Sequence, residues 1–236
     1  MKDVPPARRP AAVSLGSVPG QFDEARDRLA AARLYVISAD DDPDRQAAVL
    51  CSAIDGGAGI VQLRNKAAAA GRLLDCARAV AAHARAHSAV FVVNDVPELV
   101  EASGADGVHI GQDDGRVDQV RARLPRGALV GRSTHSLEQA RQAMEDGADY
   151  IGVGPIHATP TKPGRPAVGL ALVRAVAPVV AIPWFAIGGL DTDNLAEVLA
   201  AGATRVAVVR AVARAADPRA AAACLVARLR EPVASA

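Results

Sequence analysis

Aromatic side chains are scarce in this chain: one Trp, two Tyr and three Phe in 236 residues. Its core must therefore be assembled from Ala, Val, Leu and Ile. Cysteine is scarce too, with Cys51, Cys76 and Cys224 odd in number and far apart. That spacing makes no metal or redox motif and fits a reducing cytosol, so a cytoplasmic location is expected. Charge of one sign is missing: 27 basic against 26 acidic residues leave a formal net charge of +1. Such a balance argues for neither a nucleic-acid nor a membrane surface. No apolar run approaches the ~20 residues that span a bilayer. The opening residues hold Pro, Ala and Arg without the apolar core of a secretory signal. Arg8-Arg9 lacks the clear apolar run of a twin-arginine signal.

What is present is a rhythm. Residues 1–30 read as an N-terminal extension, flexible to about residue 20, with a short helix over roughly 21–31. From Leu34 to about Arg230 a short β-branched run, a turn and an Ala-rich amphipathic segment alternate. Strands are expected at Leu34–Ile37, Ile60–Leu63, Val90–Val93, Gly107–Ile110, Leu129–Gly131, Tyr150–Val153, Trp184–Ile187 and Val206–Val209. Helices are expected near 43–55, 70–87, 96–103, 116–123, 136–146, 168–177, 191–200 and 217–229. Asp42-Pro43 supplies an N-cap and an N1 proline. Ser136 and Gln139 make a capping box. Asp191 reads as the cap of the helix after Gly188-Gly189.

Eight strands alternating with eight helices require parallel pairing, and eight such units close into a (β/α)8 TIM barrel. One catalytic domain over 31–232 is expected. Gly-Ala recurs before strands at 57–58, 104–105, 147–148 and 202–203, at intervals of 47, 43 and 55 residues. Each interval is about two βα units. An open doubly wound sheet is the alternative, weakened because no Gly-x-Gly-x-x-Gly turn follows the first strand.

In a barrel, chemistry gathers where strands end, and there the unusual polar residues lie. Gln62, Arg64 and Lys66 alternate out of the second strand onto one face. Arg offers a planar fork to phosphate oxygens and Lys a point charge; a solvated salt-bridge cluster is the plain alternative. Asn94-Asp95 ends the third strand, where Asp95 could also cap the next helix. Gly111-Gln112-Asp113-Asp114 follows the fourth. Asp95 and Asp114 on neighbouring strand ends suit a shared hard cation such as Mg2+, held by carboxylates, ligand phosphates and water. The fifth strand ends in Ser133-Thr134-His135, where His135 is either an acid–base group or a packed ring. The loop 154–165 carries Thr159, Thr161 and Lys162 between prolines and glycines and reads as an active-site flap. Gly188-Gly189 and Val209-Arg210 end the last two strands, where barrels commonly seat a phosphate. His83 and His87, four apart on an outer helix, read as solvated; His109 reads as an interior barrel side chain.

In this order Gln-Leu-Arg-Asn-Lys, Asn-Asp, Gly-Gln-Asp-Asp, Gly-Arg-Ser-Thr-His-Ser, Thr-Pro-Thr-Lys-Pro-Gly and Ile-Gly-Gly resemble the thiamine-phosphate synthase family. The resemblance runs from about Leu34 to the last helix. It implies an enzyme that joins 4-amino-2-methyl-5-pyrimidinylmethyl diphosphate to 4-methyl-5-(2-phosphoethyl)thiazole and releases diphosphate. It implies that Gln62, Arg64, Lys66, Asn94, Ser133 and Lys162, with Asn65 beside them, hold the pyrimidine diphosphate. Asp95 and Asp114 would hold Mg2+. Thr159, Thr161, Gly189, Val209 and Arg210 would surround the thiazole phosphate. Arg64, Lys66, Ser133 and Lys162 would act in catalysis. Departure of diphosphate would leave a pyrimidinylmethyl cation, captured by the thiazole nitrogen without a protein nucleophile. Two positions depart from the pattern: Arg210, where many relatives have Ser, and His157, where an aromatic residue is frequent. A thiazole tautomerase using a histidine near His135, a sugar-phosphate barrel enzyme and a non-catalytic sensor of thiamine phosphate are the rivals. The expected partners are small molecules, with no nucleic acid and no membrane. The sequence leaves the oligomeric state open, and a homodimer is the assembly to test.

Overall fold

The β-branched runs are strands because each is buried on both faces, as a parallel sheet requires. The computed structural model describes residues 21–159 and 166–231. Its strands are β1 (Leu34–Ile37), β2 (Ile60–Leu63), β3 (Val90–Asn94), β4 (Gly107–Ile110), β5 (Leu129–Thr134), β6 (Tyr150–Val153), β7 (Trp184–Ile187) and β8 (Val206–Val208). All pair in parallel, in the order β1 to β8, and β8 returns to β1 through Leu34 opposite Val206. The barrel is closed and no sheet edge remains.

The helices are α1 (Gln21–Ala31), α2 (Pro43–Asp55), α3 (Ala70–Ala86), α4 (Glu98–Ser103), α5 (Val117–Arg121), α6 (Leu137–Glu145), α7 (Gly169–Val176), α8 (Leu195–Ala200), α9 (Arg210–Ala213) and α10 (Pro218–Arg230). None among the described residues is long and apolar enough to cross a membrane. The Asp42 carboxylate accepts the Asp44 N–H at the start of α2, with Pro43 at N1. Ser136 Oγ accepts the Gln139 N–H at 3.1 Å. Gln139 reaches back one residue further than a capping box does, accepting the His135 N–H at 2.8 Å. The recurrent Gly-Ala has a common cause: Gly57, Gly104, Gly147 and Gly202 all adopt positive φ, between 77° and 108°. Each ends a helix in the left-handed turn that glycine takes without steric cost.

Asp191 corrects one expectation. Helix α8 begins at Leu195, not at 191. Asp191 Oδ1 accepts the N–H groups of Asp193 and Asn194, and Asn194 Oδ1 accepts that of Asp191. These reciprocal bonds close a tight turn that competes with the α-helical start.

Two cores result. One lies between barrel and helices, where Ala77, Ala81, Ala140 and Ala143 let the outer layer approach the strands. The other fills the lumen and holds both tyrosines and Phe185, whereas Phe91 and Trp184 belong to the first. Tyr35, Tyr150 and Phe185 meet edge-on with centroids 5.3–6.0 Å apart. Gly131 stands opposite Tyr150 in the register and leaves its ring room. Ala25 and Leu29 of α1 close the lumen from below. Arg28 of α1 anchors this floor, donating to Asp106 at 2.9 Å. Arg26 does the same to Asp149 at 3.2 Å. Residues 1–20 lie outside the described residues.

Candidate active site

A cavity of about 440 Å³ opens at the C-terminal ends of the strands, within the size range of small-ligand sites. Strand alternation puts Ile37, Gln62, His109, Ser133, Gly152 and Ile187 on its floor. The loops that follow supply its charged wall.

Arg64, Lys66, Asn94, Asp95, Asp114 and Ser133 line one arc of the mouth, with Gln62 below. Thr159, Gly189, Val209 and Arg210 line the other arc. Eleven of the residues expected at a site therefore meet in one cavity. Asn65 does not join them. Its amide donates to the Asp41 carbonyl and to Gln46 Oε1, and its Oδ1 accepts the N–H groups of Ala67 and Ala68. It organises the β2–α3 loop behind the site. Thr161 and Lys162 lie outside the described residues.

The cations are held by acids. Arg64 Nη1 donates to both carboxylate oxygens of Asp40, at 2.9 and 3.1 Å. Lys66 Nζ is 3.1 Å from Asp95 Oδ2. Asp40 is largely exposed, so an anionic ligand competes for Arg64 against a weakly held partner. Asp95 adopts φ 59°, and its N–H donates to the His109 carbonyl at 3.0 Å. That bond joins the end of β3 to β4 and turns Asp95 toward Asp114. It does not cap α4, which starts at Glu98. Burial lifts the Asp95 carboxyl above its ordinary range, Lys66 pulls it down, and Asp114 pushes it up. Two carboxylates this close are an oxygen donor set that a hard cation would relieve. Asp114 is positioned by its own loop, Oδ2 accepting the Gly111 N–H at 2.8 Å.

On the other arc Gly188 and Gly189 have φ of 106° and 67°. A Cβ on Gly188 would stand 2.5 Å from Pro155 Cα, and one on Gly189 2.8 Å from His157 Cβ. The glycine pair thus lets the β6 loop lie against the end of β7. Beyond it, β8 ends at Val208 and α9 starts at once with Arg210. Arg214, also on the wall, is tied to Asp41 at 3.0 Å.

Some participants carried no distinct sequence signal. His109 Nε2 contacts Ser133 Oγ at 2.9 Å, and its Nδ1 contacts Tyr150 Oη at 3.2 Å. Tyr150 Oη meets Tyr35 Oη at 3.2 Å, and Gln62 Nε2 donates to Tyr35 at 2.7 Å. Burial pushes both phenols up in pKa, so they stay neutral hydroxyls. His135 lines the cavity with Nδ1 against the Gly154 carbonyl. His157 lies off it, 3.2 Å from Glu197 of α8.

Comparison with known proteins places the chain in a family. The family model described as thiamine monophosphate synthase matches residues 34–212, from β1 into α9. A thiamine-phosphate synthase of Streptomyces avermitilis is 47% identical over 213 residues, covering 88% of this chain and 98% of its own. That of Thermus thermophilus is 49% identical over 178 residues, covering 75% and 85%. The chain spans little more than half of some longer relatives, 57% of the Gloeobacter violaceus protein and 54% of the Thermosynechococcus vestitus protein. A solved thiamine phosphate pyrophosphorylase from Pyrococcus furiosus superposes with a TM-score of 0.77 at 33% identity, covering 86% of this chain and 96% of its own. With a matching model over most of its length and relatives near half identity, the chain belongs to the thiamine monophosphate synthase family.

Proposed function

We propose that this chain is a thiamine-phosphate synthase, joining 4-amino-2-methyl-5-pyrimidinylmethyl diphosphate to 4-methyl-5-(2-phosphoethyl)thiazole with loss of diphosphate. Residues 31–232 form the catalytic barrel domain, and 1–30 an extension whose helix α1 serves as its floor. The observation that carries the reading is the division of one cavity into two anion-binding arcs. Arg64 and Lys66 stand with Asp95 and Asp114 on one arc, and Gly189, Val209 and Arg210 on the other.

The donor set suits Mg2+, which Asp95 and Asp114, two carboxylates on adjacent strand ends, would hold together with ligand phosphate oxygens. An ion held by Asp95 and Asp114 would supply positive charge beside the departing diphosphate. The remaining steps fall to the chain and its substrates. Arg64, Lys66 and Lys162 stabilise the leaving diphosphate where its negative charge grows. Gln62, Asn94 and Ser133 orient the aminopyrimidine, whose amino group donates electron density to the methylene cation. Thr159, Thr161, Gly189 and Val209-Arg210 hold the thiazole phosphate so that its ring nitrogen faces that carbon. The C–O bond to diphosphate breaks and a C–N bond forms. No side chain has to act as nucleophile.

The test is formation of thiamine phosphate from both substrates, followed as fluorescent thiochrome. Product is expected with Mg2+ and is expected to vanish with excess EDTA. No product from folded protein that still binds the thiazole phosphate would shift the assignment to a tautomerase or a sensor. Arg210 gives a second prediction. It is exposed on the wall at the start of α9, so Arg210→Ser should remove one charge-assisted contact. The KM for the thiazole phosphate should rise about tenfold with little change in kcat. An unchanged KM would remove its side chain from the site.

A further inference from the structure

We propose that Asp55, His83 and His87 form a second metal site, for a transition metal such as Zn2+, on the face of the barrel opposite the active site. Asp55 is the last residue of α2; His83 lies in the last turn of α3, and His87 caps that helix. Both helices run back toward the N-terminal ends of the strands, so the cluster lies far from the cavity.

The geometry is that of a prepared ligand set. One oxygen and two ring nitrogens lie within 4.8 Å of one another. His83 Nε2 is 2.7 Å and His87 Nε2 3.7 Å from the same Asp55 Oδ1. These distances bracket the roughly 3.3 Å ligand–ligand edge of a tetrahedron with bonds of about 2.0–2.1 Å. Small rotations of exposed side chains are enough to equalise them. The rings are stacked, 4.2 Å apart and 24° from parallel, which is how two histidines four apart on a helix present nitrogens in one direction.

The tautomer of His87 is prepared as well, while His83 Nε2 donates to Asp55 at 2.7 Å and gives up that hydrogen when metal binds. His87 Nδ1 is 2.9 Å from the His83 carbonyl oxygen. Since a carbonyl only accepts, Nδ1 carries the hydrogen and Nε2 keeps its lone pair toward Asp55. A carbonyl bonded to the far nitrogen of a histidine is the usual support of a metal ligand. Cys51, one turn before Asp55, is not part of the group. Two imidazoles and one carboxylate favour Zn2+, Ni2+ or Cu2+ and give Mg2+ little to hold. Water takes the remaining position. Binding would staple α2 to α3 at the end of the barrel that governs stability.

The test uses full-length protein without a histidine tag, stripped with EDTA, dialysed and kept in millimolar Mg2+ to occupy the carboxylates of the mouth. Titration with Zn2+ should show one equivalent bound per chain. Co2+ should give the visible absorption of a low-coordinate nitrogen–oxygen site. At hundredfold excess over its Kd, Zn2+ should raise Tm by about 5–10 °C. His83→Ala/His87→Ala should lose that equivalent, the absorption and the shift, and should form thiamine phosphate at the parent rate. His87→Gln, which keeps polarity, guards against a folding defect and should weaken Zn2+ binding at least about tenfold. Equal Zn2+ binding by parent and double variant, or no binding by the parent, would overturn the site.

Discussion

Asp95→Asn should lower kcat for thiamine phosphate formation by about 10²–10³-fold, the usual loss when one preorganised charge is removed. The substitution is nearly isosteric, so the structural cost is small. Asp95 sits at φ 59°, a conformation that Asn tolerates as well as Asp. Its N–H still reaches the His109 carbonyl, so β3 and β4 stay joined. What disappears is a carboxylate that burial and Asp114 already hold above its normal pKa, and with it the partner of Lys66. The loss should appear together with a raised Mg2+ requirement. Asp114→Asn should behave alike, though its second role, accepting the Gly111 N–H, survives in the amide oxygen. If both carboxylates serve one ion, the double variant should lose much less than the sum of the two. A kcat within about threefold of the parent, at the same Mg2+ concentration, would take Asp95 out of the mechanism.

The second large effect is on stability. Gly131→Ala places a Cβ under 3.0 Å from three atoms of the Tyr150 side chain, two of the ring and the hydroxyl oxygen. That ring cannot retreat. It is fully buried, with Tyr35, Phe185 and His109 around it. Overpacking costs about 1–3 kcal/mol and occasionally more, and the upper end, about 3 kcal/mol, is expected for a ring held this tightly, a fall in Tm of roughly 6–12 °C for a domain of this size. Thermal unfolding by circular dichroism measures it. Tyr150→Leu in the Gly131→Ala background should recover part of the loss, because the two positions share one volume. An unchanged Tm in Gly131→Ala would mean that the lumen is looser than its contacts imply.

The expected strands occupy the observed positions because a parallel barrel strand, buried on both faces, writes itself as a short apolar run. Strand ends were equally plain: Arg64, Lys66 and Asp95 interrupt those runs with charge. The flanks were harder. Asp191 looks like a helix cap, but Asn194 offers a competing partner, and only the folded turn shows which bonds form. His83 and His87 read as solvated because their third member, Asp55, is 28 residues distant in sequence from His83. His109 was legible as interior, yet its link to Ser133 depends on which strands become neighbours. Asn65 carried the right chemistry in the right motif, but the alternation turned it to the back of the loop. That the helix before β1 would floor the lumen could not be read, since only Ala25 and Leu29 of α1 enter that core while Phe22 packs against the other.

The hydrogen-bonded column in the lumen has a sense of direction. Gln62 Nε2 is a donor, so Tyr35 Oη accepts from it. If the Tyr35 hydroxyl then donates to Tyr150 and that of Tyr150 to His109 Nδ1, each hydrogen in the column is used once. A neutral imidazole that accepts at Nδ1 donates at Nε2, here to Ser133 Oγ. The Ser133 hydroxyl hydrogen is thereby released toward the cavity. The column thus begins and ends at side chains that line the same cavity. Gln62 offers its carbonyl at one terminus, and Ser133 offers its proton at the other. Such a pair would suit a ring that presents one amino group and one bare nitrogen, without a formal charge anywhere along the path.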